Sequence, residues 1–361
     1  MKLFLLILFI TICNGIAFGQ NNDTWTFFWN KDTTLMGYKD KNNAVTTEPR
    51  FRDQVYAKKF DDIIVIAEYN GKNSNYYLTK KGRIVGRDSL YIYDNAPDCE
   101  SEGYIRFHSS ISDKVGMFDR NGAIKIPADY DLLTNVKNGM VVGLKGVQKN
   151  EFGEYFGWEG GKQMLLDTNN VVLIDNFKYD HYNLNFFSVV ISSEPSTDTI
   201  RDIYKGINGQ FYSFINYDRE FRTWLKSWLV ADFTKSKLLE CTHNEIQFWD
   251  EQNGGESETK GTFVDNNYER IKANLLEINS NNCDFTIFNE GLNWYTYPSD
   301  TYKDFFNNCD EVKDWKYPIK NIVINYYPKQ NELLQNHFSF LRTDNGYKLI
   351  SIDIKKDITK K

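Results

Sequence analysis

The chain of 361 residues has no glycine-rich nucleotide loop, no Gly-x-Ser-x-Gly elbow and no His-Glu-x-x-His helix. The local devices that cradle phosphate, activate a serine or hold a zinc-bound water are therefore missing. The isolated Asn253-Gly254-Gly255 reads as a flexible loop rather than a phosphate cradle. Histidine is scarce, with four residues in all. In the second half only His243 and His337 are left for acid–base chemistry. No apolar run beyond the first dozen residues approaches the length of a membrane span, in keeping with a mean hydropathy of −0.55. Basic charge is also short, and clustered Lys and Arg are what phosphate neutralisation needs, so nucleic acid is not an expected partner.

What the first residues do contain is an export signal. Lys2 supplies the charged start, Leu3 to Ile12 are almost all apolar, and Ala17-Phe18-Gly19 places small residues before a cleavage point between Gly19 and Gln20. Cys13 would make a lipoprotein only if a small residue preceded it, and Ile12 argues against that. The expectation is a periplasmic or secreted protein whose residues 1–19 are removed. Loss of Lys2 leaves 42 basic against 49 acidic residues, a net charge of −7. Lys355, Lys356, Lys360 and Lys361 form only a solvated tail.

Four cysteines then remain: Cys99, Cys241, Cys283 and Cys309. An oxidising compartment permits two disulfides, and spacing alone leaves three pairings open. Cys283 with Cys309 is the favoured pair because both lie in one region. Cys241-x-His243 lacks the further ligands that a zinc site needs. No cofactor and no metal is expected.

A turn signal returns four times in the first half, at Asp40 to Asn43, Thr79 to Gly82, Asp119 to Gly122 and Asp167 to Asn170. The closing positions lie 39, 40 and 48 residues apart, the spacing of a tandem array. In the third unit Lys114 to Phe118 and Ala123 to Pro127 are apolar runs flanking Asp119-Arg120-Asn121-Gly122, a hairpin signature because Asn and Gly accept the positive φ that tight turns require. A further apolar strand closes each unit, at Ile63 to Tyr69, Gly103 to Phe107, Gly139 to Gly143 and Phe186 to Ile191.

With this grammar, residues 34–191 resemble the WG-repeat (KWG-repeat) proteins. Their units run Gly-aromatic-x-Asp-x-x-Gly, a β run with Pro, an aromatic-Asp pair and a Gly-led strand. The positions of the name-giving Trp-Gly pair hold Met36-Gly37, Tyr76-Tyr77, Val115-Gly116 and Gln163-Met164. The resemblance implies an all-β array of tandem hairpin repeats over residues 20–192.

Ser193-Glu194-Pro195-Ser196-Thr197-Asp198 reads as a connector, giving a linker at 193–199 and a second domain at 200–361. Phe211, Phe214, Ile215, Phe221, Trp224, Leu225, Trp228 and Leu229 fall at helical steps, with Asn208 as a candidate cap. Strands follow at Ile319 to Tyr327, His337 to Leu341 and Tyr347 to Ile354, the last two joined by Asp344-Asn345-Gly346. This makes an α+β domain with an antiparallel sheet. Its final hairpin, Phe338-Ser339-Phe340-Leu341 to Tyr347-Lys348-Leu349, resembles that of secreted NTF2-like (cystatin-like) domains, which implies a cone-shaped pocket. Trp224, Trp228, Trp249, Trp294 and His337 are its candidate lining.

Stacked hairpin units bury a shared interior and expose their turns on common faces, so non-catalytic binding of a protein or glycan through the repeats is the expected function. The alternatives are a small-molecule site or enzyme in the second domain, and a structural envelope component.

Overall fold

The computed structural model describes residues 23–356 and 358, apart from 53–54, 70–72, 94, 153–154, 251–253, 281, 294, 298–299 and 330–331. The cleavage residues Gly19 and Gln20, and Trp294, lie outside the described residues. The chain is mostly strand, arranged as several small antiparallel sheets followed by one larger sheet with helices.

The first half is a succession of three-stranded meanders. Strands β1 (Trp25–Trp29), β2 (Met36–Lys39) and β3 (Val45–Phe51) form the first, with β4 (Lys59–Phe60) on its edge. Strands β5 (Ile63–Tyr69), β6 (Asn73–Thr79) and β7 (Ile84–Val85) form the second, and a short hairpin of β8 (Ile92–Tyr93) and β9 (Ala96–Pro97) follows it. The third is β10 (Tyr104–Ser109), β11 (Lys114–Asp119) and β12 (Ile124–Tyr130). The fourth contains β13 (Leu132–Leu133), β14 (Met140–Phe152), β15 (Tyr155–Asp167) and β16 (Val172–Asp175).

One turn recurs between the second and third strand of each meander. The backbone N–H groups of Asn43, Gly82, Gly122 and Asn170 donate to the carbonyls of Asp40, Thr79, Asp119 and Asp167. All four closing residues have positive φ, between 63° and 80°. The carboxylates of Asp40, Asp119 and Asp167 each accept two further N–H groups, two and four residues on, at 2.8–2.9 Å. Thr79, standing where the others have Asp, accepts only the bond from Arg83. The side chain thus substitutes for a missing backbone partner, which is why Asp begins these turns.

The glycine of the repeated Gly-aromatic step has a steric cause. A Cβ on Gly37 would lie 2.5 Å from the Thr47 carbonyl oxygen, and one on Gly116 would lie 2.8 Å from that of Ile126. Each glycine lets the third strand cross close to the second, at a register shift in both pairs. Units two and four hold Tyr77 and Met164 there, and their third strands shrink from seven residues to two and four. The long interval between Gly122 and Asn170 also has a cause, since β14 and β15 extend as a hairpin arm of 13 residues each.

Successive turns touch. Lys81 and Arg83 donate to Asn121, and the Tyr130 hydroxyl donates to Asn170 at 2.6 Å. Aromatic rings fill the gaps between units, including Tyr77 edge-on to Phe118 at 5.5 Å and Phe177 edge-on to Phe214 at 6.3 Å.

The segment 193–199 is not a linker. It connects β17 (Leu184–Ser192) to β18 (Arg201–Lys205), and β17 pairs with β19 (Phe211–Asn216) across it. Another turn of the same kind closes between Gly206 and Gly209, 39 residues after Asn170, with φ of 82° at Gly209. The sheet order here is β17-β19-β18, so the third strand rather than the second is central. The expected helix from Phe211 is corrected accordingly. Tyr212 and Phe214 point inward from a strand, and Asn216, not Asn208, caps the helix by accepting from Asp218 and Arg219.

The second half begins with α1 (Tyr217–Trp224), which runs into a π-helical segment at Leu225–Val230 and then α2 (Lys235–Glu240). Strands β20 (Thr242–Asp250) and β21 (Gly254–Thr259), α3 (Lys260–Glu277), β22 (Asp284–Glu290), β23 (Ile319–Lys329), β24 (Glu332–Thr343) and β25 (Gly346–Ile354) follow. The sheet order is β21-β20-β25-β24-β23-β22. It is not wholly antiparallel, because β20 and β25 run parallel, joined by a crossover that includes α3 and four strands. Alternate residues Ile322 and Ile324, Phe338 and Phe340, and Ile352 and Ile354 meet Phe221, Leu225, Phe263, Ile271 and Leu275 in one core. Among the described residues no helix is long and apolar enough to cross a membrane.

The disulfide joins Cys99 to Cys309, correcting the Cys283–Cys309 expectation. Cys241 and Cys283 are free thiols packed on the helix–sheet core. Cys309 instead lies on a segment that leaves this sheet and packs against the first two meanders.

Candidate functional site

Where the β17-β19-β18 sheet meets α1, the protein has an open cleft of about 450 Å³, within the size range of small-ligand sites. Ile200 enters from the β17–β18 connection, Glu220 to Trp228 from the helix, Glu240 and Cys241 from the end of α2, and Asn345 to Lys348 from the final hairpin.

The helix that builds this wall is short and well anchored. Asn216 satisfies two of its first N–H groups, and Asp218 and Glu220 place negative charge at its positive end. Phe221, Trp224 and Trp228 then form a column of rings. Phe221 stacks on Trp224 at 5.7 Å and Trp224 on Trp228 at 5.6 Å, with planes 29° and 21° apart. Trp228 stands within the π-helical segment, where the Ser227 hydroxyl donates back to the Thr223 carbonyl. Such wide turns recur at functional sites because they re-aim side chains. Lys237 lies 5.6 Å from the Trp228 ring and donates to its carbonyl.

Trp224 and Trp228 both line the cleft. Neither indole N–H has a hydrogen-bond partner among the described residues. Thr223, Asn345 and Lys348 add donors, and Glu240 adds a carboxylate. Lys348 is held at the rim by donating to the Glu240 carbonyl at 2.7 Å. The inner wall is fixed by Glu220, which accepts from the Arg342 guanidinium at 3.2 Å and from the Tyr347 hydroxyl at 2.9 Å. Burial, and then the Glu220 carboxylate, push the Tyr347 phenol well above its ordinary range, so it remains a donor. Burial likewise pushes the Cys241 thiol up to about 12, which keeps this part of the wall neutral and unreactive.

Of the expected pocket residues, Trp224 and Trp228 come together here. Trp249 lies on β20, its side chain outside the described residues. His337 lies on β24 opposite Val323 and Asp353 and is not among the residues lining the cleft. His243 stacks on Tyr302 at 4.6 Å, and burial lowers its pKa. Glu220, Tyr347 and Lys348 were missed as site residues. The Asn345-Gly346 signal locates their hairpin, but only the tertiary packing of that hairpin against α1 brings them to the cleft.

No family model matches the chain, and no curated protein matches it. Among solved structures it is similar to a crystal structure of the eukaryotic initiation factor, at 13% identity and a TM-score of 0.28, over 54% of this chain and 55% of that one. A likeness of that size carries no argument about fold or function.

Proposed function

We propose that the protein is an exported binding protein in which a WG-repeat-like array supports an NTF2-like domain, and that the Trp224–Trp228 cleft takes a glycan. The recurrent Asp-initiated turns support the first resemblance, and the helix-backed sheet ending in the Asn345-Gly346 hairpin supports the second. The observation that carries the ligand class is that two stacked tryptophans line the cleft with indole N–H groups that have no partner among the described residues. A sugar ring offers both faces of that chemistry. Its C–H groups pack on the apolar lining of Ile200, Trp224 and Trp228, and its hydroxyl and ring oxygens accept from the two N–H groups, Thr223 and Asn345. The Glu240 carboxylate and the Lys348 ammonium supply an acceptor and a donor at the rim. An oligosaccharide screen with the full chain tests this reading. Binding of neutral or acidic oligosaccharides, quenched or blue-shifted in tryptophan emission, supports it, and an empty screen removes the glycan.

A further inference from the structure

The repeats carry a second recognition surface, distinct from the cleft, and a segment of the same chain already occupies it. Segment 308–316, between the Asp300–Phe305 turn and β23, leaves the second half and crosses the array. The Asn308 carbonyl accepts from the Lys58 and Lys59 backbone N–H groups at 2.7 and 3.2 Å, and its amide donates to Asp61 at 2.7 Å. Cys309 is bonded to Cys99. Glu311 lies in the field of the Asp98–Arg106 pair. Asp314 lies within electrostatic reach of Lys137, Tyr179 and His181, and the Trp315 ring lies 5.2 Å from the Lys137 ammonium. Lys316 then reaches Phe187 at 4.9 Å.

The contact points Asp61, Cys99 and Lys137 follow one another at intervals of 38 residues, close to the period of the turns. The segment therefore touches successive units at related places, one after another, as a ligand does on a repeat array. We propose that this end of the array is a peptide-recognition face, that 308–316 is its built-in ligand, and that reduction of Cys99–Cys309 opens the face to a peptide from another protein. The peptide has the same chemistry: a backbone carbonyl to accept from the Lys58 and Lys59 N–H groups, an amide side chain to donate to Asp61, carboxylates toward Arg106 and Lys137, and a tryptophan for the Lys137 position.

The opening step uses a dithiol reductant. Its thiolate attacks the sulfur of Cys309, which is half-buried, whereas Cys99 is buried. The S–S bond breaks, the mixed disulfide is resolved by the second thiol, and Cys99 and Cys309 leave as thiols while the reductant becomes a disulfide. The released segment remains tethered at both ends, so a competing peptide meets a high effective concentration. The test weakens the resident segment for that reason.

A fluorescein-labelled peptide of residues 306–317, with serine at the Cys309 position, is titrated by anisotropy into the oxidised full chain and into the full-chain Cys309→Ser/Trp315→Ala variant. The variant is expected to bind saturably and at least tenfold more tightly than the oxidised protein, and a peptide carrying Trp315→Ala is expected to lose at least tenfold. Absence of binding to the variant when its melting transition is intact overturns the proposal, as does equal binding to the oxidised protein. The single variant Cys309→Ser gives a second readout should the double variant not fold. Amide exchange at Lys58 and Lys59 should speed up at least tenfold and slow again on adding the peptide, and unchanged exchange overturns the proposal.

Discussion

The sulfur of Cys99, in the connection between the second and third meanders, is bonded to that of Cys309, 210 residues later. The two halves are thus covalently clamped at a point where Asn308 also bridges Lys58, Lys59 and Asp61. Closing so long a loop restricts the unfolded chain, and removing the bond should cost about 2–5 kcal/mol. Reductant is expected to lower the melting temperature of the wild type and of Cys283→Ser, and to leave that of Cys309→Ser unchanged. Peptide mapping under non-reducing conditions should recover 99 linked to 309.

Gly122 and Gly82 make the same turn in neighbouring units but differ in surroundings. A Cβ on Gly122, at φ of 70°, would lie 2.9 Å from Val85, whereas Gly82, at 80°, has nothing within 4 Å. Gly82→Val should cost about 1–3 kcal/mol from backbone strain alone. Gly122→Val should cost more, because Val85 must also move. Urea unfolding of the two variants measures the order, and equal midpoints would contradict this inter-unit packing.

Lys137 is almost fully buried, with its ammonium on the Tyr179 hydroxyl at 2.8 Å and beside the Trp315 ring. Burial lowers its pKa to about 8, with Asp314 opposing the shift. Lys320 is lowered to about 8 for the same reason, with Asp218 opposing. The unfolded chain therefore binds these protons more tightly than the native one, and stability should rise as pH increases from about 8 toward 10. Lys137→Met should flatten that rise in the dependence of unfolding free energy on pH. A rise of unchanged slope would mean that Lys137 titrates normally.

The exposed loop at 193–199 connects two strands that remain paired through a third. Proteolytic nicking there should leave a particle of unchanged size by gel filtration, even after reduction, since β17 stays hydrogen-bonded to β19. Separation of the fragments at neutral pH would contradict this pairing.

The turn residues were readable from sequence because Asp at the start and Asn or Gly at the close are local requirements of the backbone. The same signal stood at Asn208-Gly209, but the helical steps of Phe211, Phe214 and Phe221 obscured it. In a strand Tyr212 and Phe214 face one side, and helix and strand readings of so short an apolar run differ only once Asn216 is seen to cap. The polar run after Ser192 has the composition of a linker and of a hairpin loop alike. Pairing of Cys99 with Cys309 depends on how the halves dock, which no local pattern encodes. The cleft was half legible, since Trp224 and Trp228 share a helix face, while Glu220, Tyr347 and Lys348 join them only through the sheet.

Calorimetric titration of an oligosaccharide identified by the screen into wild type and Trp228→Ala tests the binding site most directly. Trp228 supplies one indole N–H and part of the apolar lining, so its truncation should weaken binding at least tenfold, about 1.4 kcal/mol, with Phe221 and Trp224 preserving the fold. Equal affinity in the two proteins, with both melting cooperatively, would place the ligand elsewhere.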